Sequence, residues 1–251
     1  MSELEQAYLM GFAEGDLHVR RASGLAIMAS STTTHPAFAS LFKSLFQANG
    51  PVYVYPIFDR ISGYRWKVGA RLDYSFEFML PAPRKHYPKW KEGPAKFFAW
   101  LAGIVDSDGS VNVVRSGIYA RAMMAVSNQD GRLLRHIKRE LRAAGYHPGG
   151  PYLSAPRGQV TPGYDIRYNK DMLVLCVQKR AEVLGLLHLL PLKQSEKVRR
   201  KILAMSCSPA KKWSKIEAKV RTVQRTISEE VTGFVREAEE AYKNRRLGGP
   251  I

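Results

Sequence analysis

Two cysteines in 251 residues, Cys176 and Cys207, are too few for a disulfide framework or a cysteine-built zinc site, so nothing points to an oxidising compartment. No apolar run approaches the roughly 18 residues that a membrane helix needs. Glu3 and Glu5 stand where a secretory leader would be basic and then apolar. The expected protein is soluble and intracellular, in the cytoplasm, nucleoid or an organelle matrix, and is neither secreted nor membrane-bound. Acidic residues are also scarce: 22 against 39 basic ones leave a formal charge of +17 and a pI near 10.0. A thermophile's charged surface would raise both signs together. An excess of one sign costs self-repulsion unless a polyanion uses it. Apolar residues are not scarce, and at 45% hydrophobic and 10% aromatic the chain is not disordered. It can bury a core as one large domain or as two of roughly 100 residues.

What is present is a repeat. Leu101-Ala102-Gly103-Ile104-Val105-Asp106-Ser107-Asp108-Gly109 has a looser copy in Leu9-Met10-Gly11-Phe12-Ala13-Glu14-Gly15-Asp16-Leu17. Each starts apolar, has glycine at its third position and a carboxylate at its eighth. Ser2 and Glu5 form a capping-box pattern for a first helix over 3–14. Within it, glycine costs about 0.8–1.0 kcal/mol relative to alanine, a cost offset where another helix approaches closely. Pro94 opens the second motif helix. Asp106 and Asp108 then sit at its C-terminal end, where the dipole disfavours carboxylates unless cations compensate.

The segments between repeat themselves too. Alternation predicts strands at 17–21, 24–29, 52–58, 64–70 and 74–80, with a helix opening at His35-Pro36 and closed by Asn49-Gly50-Pro51. In the second half, 111–114 and 119–126 read as a hairpin and the stretch after Asp130 as a helix. A loop follows over 147–162, then strands at 164–169 and 172–177, and helices at 180–190 and 195–205. A charged tail from Pro209 to about Arg246 spaces Trp213, Ile216, Val220, Val223, Ile227, Val231 and Phe234 three or four apart, for packing on the body. The expected fold is α+β: two pseudo-symmetric repeats, each an antiparallel β-sheet saddle covered by helices, with the motif helices paired at the centre. The boundaries are a first repeat at 1–80, a basic, proline-broken linker at 81–93, a second repeat at 94–205 and a tail at 206–251.

The motif at 101–109 resembles the signature of LAGLIDADG homing endonucleases, and 9–17 resembles its more divergent first copy, as in the single-chain, two-repeat form of that family. The resemblance covers roughly residues 3–205. It implies that the motif helices pack together through their third-position glycines, and that Asp16 and Asp108 bind divalent metal. Glu14 and Asp106, at the sixth position, take secondary roles at the interface or helix end. Lys193 resembles the family's lysine near the end of a repeat, and Gln129 its polar residue after the hairpin. In the first half the latter position falls near Thr33, and Lys85 or Lys89 would supply the lysine. Phosphodiester hydrolysis agrees with this set, because it needs a hard cation held by carboxylates, water and phosphate oxygens. The implied cofactor is Mg²⁺, with Mn²⁺ able to substitute.

An antiparallel sheet can enter the major groove, where alternate residues reach base edges and basic neighbours hold phosphates. The candidates are Arg20, Tyr53, Tyr55, Arg65, Lys67 and Arg71 in the first half, with Asn112, Arg115, Arg121, Arg157, Gln159, Arg167 and Lys170 in the second. Lys211, Lys212, Lys215, Lys219, Arg221 and Arg225 either add phosphate contacts or form a solvated helix face. The expectation is a monomeric, magnesium-dependent endonuclease, a pseudo-dimer that breaks both strands of a long duplex site as in intron homing. The alternatives are a maturase acting on intron RNA and a DNA-binding regulator without cleavage.

Overall fold

A computed structural model describes residues 1–81, 87–88, 90, 93–160, 167–207 and 211–246. Each repeat runs helix, two strands, helix, two strands. In the first, α1 (Glu3–Glu14) is followed by β1 (His18–Arg21), β2 (Ile27–Thr33), α2 (Pro36–Phe46), β3 (Val52–Asp59) and β4 (Gly63–Leu72). In the second, α3 (Pro94–Asp108) is followed by β5 (Gly109–Ser116), β6 (Tyr119–Asn128), α4 (Gly131–Ala143), β7 (Gly149–Ala155) and β8 (Met172–Val177). Both sheets are antiparallel and share one order, β1-β2-β4-β3 and β5-β6-β8-β7. Among the described residues three α-helices follow: α5 (Arg180–Leu189), α6 (Ser195–Met205) and the 30-residue α7 (Glu217–Arg246). Among the described residues no helix is long and apolar enough to cross a membrane.

Two compact units result. The described residues within Met1–Asp16, Pro81–Gln159 and Arg167–Val223 form one, and those within Leu17–Leu80, Val160–Ile166 and Gln224–Ile251 the other. In the first unit α1 packs on α3 through main chain. A Cβ on Gly11 would lie 1.9 Å from the Trp100 carbonyl oxygen, and one on Gly103 2.1 Å from that of Tyr8. Leu101, Ile104 and Val105 are fully buried beside them, with Val111, Met124 and Val126 on the sheet below. The Ser2–Glu5 capping box is formed in both directions, and α3 begins at Pro94.

The core of the second unit is the helix-side face of the first sheet, where Ile27, Ala29, Val68, Ala70 and Leu72 meet Phe38, Phe42 and Phe46 of α2. The far end of that face is covered by α7. The Trp66 ring stacks on Phe234 at 5.5 Å, its indole N–H donates to the Phe234 carbonyl at 2.9 Å, and Tyr64 meets Tyr242 edge-on at 5.7 Å.

Two local expectations are corrected. Residues 74–80 alternate like a strand, yet Tyr74–Met79 is a 3₁₀ helix. Asp73 accepts from the Ser75 amide and turns the chain, and the three-residue spacing of Phe76 and Met79 buries both. Within the loop expected at 147–162, Gly149–Ala155 forms β7. Its glycines and Pro151 hide the pattern, and it pairs with β8 through two register shifts. Residues 164–166 of the strand expected at 164–169 and most of the linker at 81–93 lie outside the described residues, and 167–169 form no strand beyond a single bridge at Arg167.

Candidate active site and nucleic-acid interface

Helices α1 and α3 end side by side because their glycines let the backbones touch, and this brings the two eighth-position acids together. Gly15 lies against Ser107, and a Cβ there would sit 2.0 Å from the Ser107 hydroxyl. Asp16 and Asp108 share a hydrogen bond. Burial, followed by the Asp16 charge, pushes Asp108 up to about 7. The Asn128 amide opposes that by donating to Asp108 Oδ2 at 2.8 Å. Two carboxylates in contact gather negative charge on oxygen donors, the donor chemistry that suits a hard divalent ion. Among the described residues no group of three or more His, Cys, Asp or Glu side chains gathers, so water and phosphate oxygens would complete such a shell.

The basic member of this cluster is Lys197 in the first turn of α6. Its ammonium donates to the Gly109 carbonyl at 2.6 Å. Burial lowers its pKa, while the charges of Glu196, Asp106 and Asp16 act in the opposite direction. Lys193 sits differently: its ammonium lies 4.5 Å from the centre of the Tyr8 ring, and its backbone N–H donates to Asp106 Oδ2 at 2.7 Å. Gln129 is exposed, and the neighbouring Asn128 touches the acid instead. Sequence reading therefore missed Asn128 and Lys197. Lys197 is hidden in a charged run, Glu196 to Lys201, that resembles a solvated helix face. Its signal is that Glu196 and Arg200 fall on the stripe that continues into the buried Leu203 and Ala204.

Asp106 is fully buried. Its Oδ2 accepts from the Tyr8 hydroxyl at 2.6 Å as well as from Lys193, and its main-chain oxygen accepts from the Gln194 side chain at 2.9 Å. Burial raises its pKa against these bonds, and Oδ1 has no hydrogen-bond partner among the described residues. One carboxylate thus ties α1, α3 and the approach to α6 together. Asp106→Ala should cost about 3 kcal/mol in urea unfolding, because it strands a buried hydroxyl and an amide. Asp106→Asn, which keeps an acceptor, should cost less.

The repeats are alike but unequal at the end of their second strand. The Thr33 hydroxyl accepts from the His35 amide at 2.9 Å, as Asn128 Oδ1 accepts from the Asp130 amide at 2.7 Å. Thr33 and Asn128 therefore hold equivalent positions with side chains of different reach. Lys85 and Lys89 lie outside the described residues, and Glu14 is exposed where its counterpart Asp106 is buried.

Cross-strand register separates the faces of each sheet. In the first sheet Arg20, Met28 and Arg71 form one row, Tyr53 lies over Gly69, Tyr55 pairs with Lys67 and Ile57 with Arg65. All six first-half candidates thus share the face opposite the core. Tyr53 stacks on Tyr55 at 5.8 Å, Arg245 approaches the Tyr55 ring at 5.6 Å, and Arg65 is paired with Asp59 at 3.1 Å.

In the second sheet Asn112 pairs with Met123 and Arg121 with Val114 on the open face, while Arg115 pairs with the buried Ala120 and so belongs by register to the other. Arg200 holds the Asn112 side chain at 3.1 Å. Arg157, Gln159, Arg167 and Lys170 are exposed in the connection from β7 to β8, where Gln159 and Tyr168 pair through their backbones. Lys211 to Trp213 bonds to Ile118 and Ala120 of the β5–β6 hairpin, which places part of the basic tail at that sheet.

No protein-family model and no curated protein sequence matches the chain. Solved structures do. The homing endonuclease I-WcaI bound to its DNA recognition sequence superposes with a TM-score of 0.52 at 10% identity, over 78% of this chain and 86% of that one. Full-length DUF199/WhiA from Thermatoga maritima gives 0.50 at 14% identity, over 90% and 67% of the two chains. The N-terminal LAGLIDADG domain of DUF199/WhiA gives 0.49 at 17% identity, over 77% and 86%. At such identities the likeness is one of fold, a LAGLIDADG-like arrangement of two pseudo-symmetric repeats.

Proposed function

We propose that the chain is a site-specific endonuclease that binds duplex DNA on its open sheet faces and hydrolyses both strands with a divalent cation, Mg²⁺ or Mn²⁺. The observation that carries this reading is the pair Asp16 and Asp108, held in hydrogen-bond contact at the ends of two helices whose backbones touch. Folding alone gives no reason to crowd two acids at helix C-termini, where the dipole also opposes them. When bound, the cation supplies charge neutralisation at the scissile phosphate and activation of the attacking water.

The chain's own groups do the rest. Asp16 and Asp108 provide the anionic oxygens, and Asn128 fixes one oxygen of Asp108. Lys197 brings a positive charge beside them and stabilises negative charge developing on a phosphate. Lys193, with its ammonium over Tyr8, is a second candidate cation. The formal +17 charge and the row of Arg20 and Arg71 serve the polyanion.

The test is incubation with duplex carrying the uninterrupted host locus, in Mg²⁺ and in EDTA. Magnesium-dependent double-strand cutting at one place is expected. Tight binding without cutting in several divalent metals would replace this reading with a DNA-binding regulator, and selective folding of cognate intron RNA would replace it with a maturase. Arg71→Glu should weaken duplex binding and lower the slope of log affinity against log salt by about two, since one phosphate-side cation is lost and an anion gained. An unchanged slope would remove Arg71 from the interface.

A further inference from the structure

The two open faces are chemically different, and the difference falls where bases would be read. On the first sheet the guanidinium groups of Arg20 and Arg71 flank Met28, and neither has a hydrogen-bond partner among the described residues. The open face of the second sheet instead mixes apolar with polar side chains. Val114 stands beside Arg121, Met123 beside Asn112, and Val174 beside Tyr152. The first three apolar side chains are part-exposed and Tyr152 is 57% exposed, and by register every one lies on the open face. Beneath Tyr152 the small side chains of Ala125 and Cys176 close the surface, and Gly149 leaves room for the ring.

These apolar side chains share the face with Arg121 and Asn112, in a chain with 39 basic and 22 acidic residues, so its occupant is a polyanion that presents apolar groups. Duplex DNA presents one such group in the major groove, the C5-methyl of thymine. Arginine, by contrast, matches the two acceptors of guanine.

We infer that the second sheet selects its part of the target through thymine methyl groups, with Val114, Met123, Val174 and Tyr152 as the contacts. This rests on the DNA-binding reading and specifies what that surface reads. Removing one methyl from contact with an apolar side chain uncovers about one methylene's worth of buried surface, which corresponds to roughly fourfold in affinity.

The experiment uses the full chain in Ca²⁺ with a randomised duplex pool. The enriched duplex is then resynthesised with deoxyuridine replacing thymidine, one position at a time, which removes the methyl and nothing else. A run of positions at which the replacement weakens wild-type binding about fourfold is expected. That penalty should vanish for Met123→Gln or Val174→Thr at the thymine each one touches. If a specific duplex is enriched but binds equally well with deoxyuridine throughout, DNA binding stands and the methyl-reading inference is overturned. If no sequence is enriched, both fall together.

Discussion

Asp16→Asn and Asp108→Asn should each slow double-strand cleavage roughly a thousandfold, about 4 kcal/mol of transition-state stabilisation, while duplex affinity in Ca²⁺ stays nearly unchanged. The two acids touch each other and Asn128, none of them among the open-face candidates, so removing one charge alters the chemistry and leaves the proposed reading surfaces intact. Either variant cutting at the original rate would sink the proposed mechanism.

The same substitution has a second readout that needs no DNA. Asp108 is raised from 3.8 to about 7 by burial and by Asp16. The folded state therefore keeps a proton that the unfolded chain has already released. Its contribution destabilises the metal-free fold progressively as pH rises from near 4 to near 7, and fully above that, by no more than about 4 kcal/mol. Thermal melts in EDTA should show wild-type stability falling across this window and Asp108→Asn holding level. A divalent cation should raise the wild-type midpoint more at pH 8 than at pH 6. Melting curves of wild type and Asp108→Asn with the same pH dependence would refute the carboxylate crowding.

Gly103→Ala should unfold the first unit or cost more than about 4 kcal/mol. The added methyl would sit 2.1 Å from the Tyr8 carbonyl oxygen and 2.6 Å from the Phe12 nitrogen, and main chain cannot rotate aside as a side chain can. The control is Gly233→Ala in α7, where nothing lies within 4 Å of the new Cβ. There only helix propensity acts, and the expected result is a gain of up to about 1 kcal/mol. Opposite signs for one substitution in two helices separate backbone approach from propensity. Urea denaturation followed by far-UV circular dichroism measures both, and equal effects would show that α1 and α3 are not held in contact through Gly103.

Much of this was legible in the chain itself because it depends on local rules. The order of helices and hairpins, the capping box at Ser2, and the placement of glycines and acids follow from spacing and turn chemistry. The parts that were not legible depend on distant partners. Tyr74–Met79 alternates like a strand until Asp73 caps it, and β7 is defined by pairing with β8 rather than by its own residues. Asn128 differs from Gln129 only in which of two adjacent polar side chains turns towards Asp108. Lys197 lies 88 positions from the carbonyl it meets, so no window of sequence contains both. Arg115 and Asn112 lie three apart on one strand, and odd spacing places them on opposite faces.

At Gly11 and Gly103 the seam between α1 and α3 is main chain against main chain, and peptide groups are common to every protein. Such a contact asks for glycine at those two positions, and beyond them for the Tyr8–Asp106 pair. It is therefore a natural joint for recombination: a first helix taken from another chain of the same architecture, with its own glycine in place, should find the same fit against α3. Exchange at such a joint would let the two reading surfaces change independently over evolutionary time, and the unequal Thr33 and Asn128 are what such independent drift would leave behind.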